Sequence, residues 1–116
     1  MLFISKEDFY EKAASFAKLA REEEIKLAVL AKQGDSGAKM KLVCSYLPLA
    51  AFYAKKAPRE LQTFELICRL TAELEKAAER FDFLQESESF SHRLGIIFRR
   101  TFASYIADAD IGGVKL

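Results

Sequence analysis

The feature that most constrains this chain is a pair of apolar repeats lying between Leu61 and Asp108. Phe64, Ile67, Cys68, Thr71, Leu74, Ala78 and Phe81 recur at three- and four-residue steps. After a short polar turn, Leu94, Ile97, Phe98, Phe102 and Tyr105 continue the same repeat. That spacing places each set on one stripe of a helix. No internal repeat, low-complexity tract or alternating strand pattern competes with the helical period. The expected fold class is therefore all-α, a compact bundle of four to five helices.

Capping and breaking residues divide the chain further. Ser5 followed by Asp8 forms an N-cap arrangement, so a first helix should start near Lys6, with Phe9, Ala13, Phe16, Ala17 and Ala20 on its apolar stripe. The acidic run Glu22-Glu23-Glu24 shifts the phase of the apolar face, which predicts a bend before Ile25, Ala28 and Val29. Gly34-Asp35-Ser36-Gly37 stops that element; Gly34 suits the left-handed position after a helix, and Ser36 can cap the next one. Met40, Val43, Cys44, Leu47, Ala51 and Ala54 resume helical spacing, and Pro48 should kink or break the helix by crowding the carbonyl near Cys44. Ala57-Pro58 ends it. A helix over about Arg59 to Arg80 would be roughly 33 Å long at 1.5 Å per residue. Gln85 to Ser89 reads as a polar turn, Ser89 or Ser91 as the cap of the last helix, and Gly112-Gly113 as a loose tail.

With 116 residues there is room for one core, and ten Phe with no Trp make that core aromatic. Lys plus Arg (18) nearly balances Asp plus Glu (17), so only the clustering of charge can speak for or against nucleic acid. The N-terminus lacks a basic region followed by a long apolar run, and no run approaches the roughly 18 apolar residues of a membrane span. Cys44 and Cys68 both fall in apolar stripes without C-x-x-C spacing and are expected to be buried and reduced. A cytoplasmic protein without a membrane partner is the expectation.

Catalysis has little to work with. His92 is the single histidine, which excludes by count a di-metal bundle built on two Glu-x-x-His pairs. No nucleophile is spaced to use it as a base, and no glycine-rich phosphate loop exists. The expectation is a non-enzyme with no cofactor and no metal.

The charged faces carry more. His92, Arg93, Ile96, Arg99, Arg100 and Ala103 share the side of the last helix opposite Ile97, Phe98 and Phe102. Three arginines there suit either phosphate contact or a solvated face, and both readings stand at this point. Glu65 and Arg69 at i, i+4, with Glu73 four beyond, suit either helix support or a partner helix. Lys39, Lys41, Lys55, Lys56 and Arg59 read as solubility charges.

The order of the motifs points further. EEEIKLAVLAKQGDSGAKMKLVCSYLPLAAFYAKK, LQTFELI, AERFDF and ESFSHRL with RR shortly after follow one another from about Glu22 to Asp108. In that order they resemble region 2 of bacterial RNA polymerase sigma factors. The pieces that carry the resemblance best are the GD turn followed by a helix with YLPL, the ERFD that ends the long helix, and the FS that opens the last one.

The resemblance implies a division into an N-terminal helix (1–21), a region-2-like domain (22–110) and a tail (111–116), without the helix-turn-helix region 4. It implies docking on the coiled coil of the β′ subunit of core RNA polymerase through Glu65, Leu66, Ile67, Cys68, Arg69 and Leu74. Here the family's acid is kept as Glu65, while Cys68 replaces a glutamine and Arg69 an acid, so docking is altered. It further implies contact with −10 promoter DNA through Phe90, Ser91, His92, Arg93, Ile96, Arg99, Arg100 and Ala103. Ile96 and Ile97 stand where a tryptophan pair is common, Arg93 where a tyrosine is, and the preceding turn is one residue longer. Isoleucine has no π face to stack on bases, so promoter opening should be weak or absent. An anti-sigma factor or a separate region-4 subunit is a further implied partner. A regulatory interaction module that keeps the fold without promoter recognition is the alternative.

Overall fold

In the computed structural model, which describes residues 3–84 and 89–111, the chain is an all-α bundle. The described helices are α1 (Lys6–Ala14), α2 (Arg21–Lys32), α3 (Ser36–Cys44), α4 (Leu47–Ala54), α5 (Phe64–Arg80) and α6 (Phe90–Ile111), with a single 3-10 turn at Arg59–Leu61. Helices α3 and α4 are two pieces of one helix broken at Pro48, as its missing donor requires, and Pro48 sits in the first turn of α4. Counted that way the bundle has five helices. The expected Gln85–Glu88 part of the polar turn and the Gly112-Gly113 tail lie outside the described residues.

The ends of the helices follow from their caps. Ser5 accepts the amide of Asp8 at 3.1 Å and starts α1, as expected. That helix stops at Ala14, however, and Phe16, Ala17 and Ala20 are exposed. The apolar spacing there continues a pattern that no packing partner uses. Asp35, rather than Ser36, caps α3 by accepting the Ala38 amide at 3.0 Å, after Gly34 takes the left-handed conformation (φ 97°). Thr63 caps α5 by accepting the Leu66 amide at 3.2 Å. The long helix therefore starts at Phe64 and not at Arg59, and its 17 residues span about 26 Å. Ser89 caps α6 through the His92 amide.

The core runs between α5 and everything else: α6 and α4 flank it, α3 and α1 also touch it, and α2 packs on α3. Leu66, Ile67, Leu70, Thr71, Leu74 and Ala77 are the buried face of α5. Cys68 and Phe64 are exposed, so the true stripe is rotated from the expected one that used Phe64, Cys68 and Ala78. The observed rotation buries Leu66 and Leu70 in place of Cys68 and Phe64, each leucine worth roughly 1.5–3 kcal/mol when buried. From α6, Phe90, Leu94 and Phe98 complete the core. At one end Tyr46, Phe81, Phe83 and Phe90 form an aromatic cluster with ring centroids 4.8–5.0 Å apart. Gly95 lets α6 approach α4, because a Cβ there would lie 2.9 Å from Tyr53 Oη.

One buried polar pair ties the first half of the bundle. Tyr46 donates its hydroxyl to Glu24, both side chains being buried. Burial, then Glu24, pushes the Tyr46 hydroxyl pKa up, so it remains a donor at any ordinary pH.

Candidate functional site

Helices α5 and α6 run antiparallel, so that Arg80 and Phe81 at the end of one meet Arg93 near the start of the other, and Thr63 meets Tyr105. Their outward edges enclose an open groove of about 860 Å³. Among the described residues, five cations line it, Arg69, Lys76 and Arg80 from α5 and Arg93 and Arg100 from α6, against one carboxylate, Glu73. Its floor is aliphatic: Ala72, Ala77, Ile96 and Ile97.

The two ends of the groove differ. Arg69 donates to Asp108 at 2.7 Å and to Glu65 at 3.2 Å, and its guanidinium lies 5.1 Å over the Tyr105 ring. Asp108 first, then Glu65, raises the Arg69 pKa further above its ordinary value. The Tyr105 hydroxyl shares a 2.7 Å hydrogen bond with Thr63, the cap of α5. Toward Phe81, Lys76 pairs with Glu73, 3.6 Å away on its own helix, and Arg93 lies 5.8 Å over the Phe81 ring.

The residues expected to dock on polymerase divide by burial. Glu65 and Cys68 are exposed and Arg69 is half-buried, so these three side chains share an accessible edge of α5. Leu66, Ile67 and Leu74 are at most 1% exposed and pack the core, so a partner does not reach them without unfolding the helix. The expected burial of Cys68 does not hold, because one step of rotation turns it outward; Cys44 is partly buried, and burial raises its thiol pKa.

The DNA positions divide likewise. His92, Arg99, Arg100 and Ala103 are exposed on α6, and Ser91, Arg93 and Ile96 are partly so. Phe90 is 1% exposed inside the aromatic cluster, which corrects its expected role as a contact with bases. Sequence reasoning missed Lys76 and Arg80. The signal was there, since both stand off the apolar stripe at i, i+4, but the facing arginines of α6 become their neighbours only after folding. Among the described residues no group of three His, Cys, Asp or Glu is placed to hold a metal ion, and no helix is long and apolar enough to cross a membrane.

Neither a scan of protein-family models nor a search of curated proteins finds a match to this chain.

Proposed function

We propose that the chain is a non-enzymatic, sigma-region-2-like module that works in the cytoplasm, binding core RNA polymerase through α5 and contacting −10 promoter DNA through α6. The observation that carries this reading is the set of cations on α6, exposed Arg99 and Arg100 with partly exposed Arg93, beside the accessible edge Glu65, Cys68 and Arg69 of α5. Arginine forks neutralise and orient phosphates, which gives affinity without base recognition. With Phe90 in the core and aliphatic, partly exposed Ile96 and Ile97 on α6, base stacking is not part of the reading, and promoter opening by this chain should be weak or absent.

The test is a pull-down of core RNA polymerase by the purified chain, repeated with Glu65→Lys. Saturable binding that the variant loses supports β′ docking. The internal pairing of Arg69 with Glu65 and Asp108 favours a second reading, a regulatory module that binds an anti-sigma factor or a separate region-4 subunit rather than polymerase. Absence of polymerase binding at micromolar concentration moves the assignment to that second reading.

A further inference from the structure

We infer that the seam between α4 and α6 binds single-stranded nucleic acid, with a base stacked on Phe52 and phosphates held by Lys56 and Arg99. Phe52 is 54% exposed near the end of α4. Lys56 follows one turn later, its ammonium 4.4 Å from the Phe52 ring centroid and 5.4 Å from that of Tyr53. Tyr53 packs edge-on against Phe52 at 5.7 Å, and its hydroxyl reaches the α6 backbone at Gly95. A Cβ on Gly95 would lie 2.9 Å from that hydroxyl and 4.0 Å from the Arg99 guanidinium. The ring, the lysine and the arginine therefore share one surface that runs from α4 onto α6.

Charge and the size of the apolar anchor together select the ligand. Residues 36–58 and 89–107, which hold all of α4 and most of α6, contain seven lysines and arginines and no aspartate or glutamate. Such a surface favours an anion. Among the described residues, Phe52 is the one large apolar side chain exposed on α4, and α6 exposes none. A partner helix needs apolar anchors at i, i+3, i+4 and i+7 and would find a single ring here. One ring flanked by cations suits one base and its neighbouring phosphates, because every base has a π face. Phe52 and Lys56 take no part in the contact proposed above. Arg99 is shared with it, so the Arg99 part of the inference rests on that reading and the Phe52 part does not.

The test uses the full chain without polymerase or duplex DNA, so the two proposals fail separately. A fluorescein-labelled oligothymidylate of about ten nucleotides, within the usual site size of a single-strand binder, is titrated by anisotropy. An abasic strand of the same length and an oligoglutamate peptide of equal charge are titrated beside it. Saturable binding of the oligothymidylate is expected, with weaker binding of the other two. Phe52→Ala should weaken the oligothymidylate roughly fivefold or more, the low end for one stacked base, and leave the abasic strand unchanged. Phe52→Trp should keep the wild-type affinity. Lys56→Gln with Arg99→Gln should lower the slope of log affinity against log salt by about 1.4, two single-strand phosphates. Equal binding of the abasic strand, or no loss in Phe52→Ala, overturns the inference whether or not the chain binds polymerase. Tighter binding of the peptide, lost in the same variants, overturns it in favour of an acidic protein partner, and no binding of any of the three overturns it outright.

Discussion

The two ends of the α5–α6 seam are built from the same helices yet present opposite electrostatics. Near Thr63 the chain neutralises itself: Arg69 is shared by Glu65 and Asp108, Tyr105 lies under its guanidinium, and the Tyr105 hydroxyl is bonded to the α5 cap. Near Phe81 the cations of α5 and α6 line one trough together, with Glu73 the one carboxylate among the described residues that line it. Like charges brought together by folding raise the free energy of the folded state unless a ligand or solvent screens them. The closed end thus offsets its own charge while the open end gathers cations, and a variant that acts on one should leave the other's readout alone.

The largest effect should come from removing what both ends rest on. Leu74 is fully buried at the middle of α5. Leu74→Ala should cost about 2–5 kcal/mol through lost burial and the cavity left behind. Urea unfolding measures it, and a cost under about 1 kcal/mol would return Leu74 to an accessible docking role. A second, smaller effect separates the ends directly. Arg100→Ala should lower the slope of log affinity against log salt for duplex DNA by about 0.9, one phosphate contact. Arg69→Ala removes the same formal charge and should leave the slope unchanged, because Glu65 and Asp108 already offset it. Equal slopes for the two variants would erase the distinction between the ends.

The distinction was only half legible in the sequence. Helix class, the Ser5 cap, the Gly34 turn and the break at Pro48 are local, and each follows from the residues at that place. The exact rotation of α5 is not local, since Phe64, Cys68 and Ala78 fit the helical period as well as Leu66 and Leu70 do. Packing against α4 and α6 selects between them, and it sends Cys68 outward and Leu66 inward. The α6 arginines were visible as a face. Their pairing with Lys76 and Arg80, and the reach of Asp108 back to Arg69 across 39 positions, depend on the antiparallel return of the chain.

At the closed end, Thr63 has two duties, and losing them should register in stability without affecting binding. Thr63→Ala removes the acceptor of the Leu66 amide and the partner of Tyr105, and should cost about 1 kcal/mol, the usual worth of an N-cap. Thermal or urea unfolding reads the loss. Retention of wild-type DNA affinity in the folded variant would show that the closed end is not a contact surface.

The smallest expected effect turns the closed end partly into the open one. Asp108→Asn leaves Arg69 with Glu65 alone, so one positive charge at the Tyr105 end is less fully offset. The side chains involved are solvent-exposed in large part, so thermal stability should barely move. DNA affinity should rise about twofold at 50 mM salt, and the gain should vanish by 300 mM as the Debye length falls well below 10 Å. Fluorescence anisotropy at the two salt concentrations distinguishes this from a change in fold, which would persist at both. If affinity falls instead, Asp108 acts by holding the end of α6 in place, and the closed end supports the open one rather than merely contrasting with it.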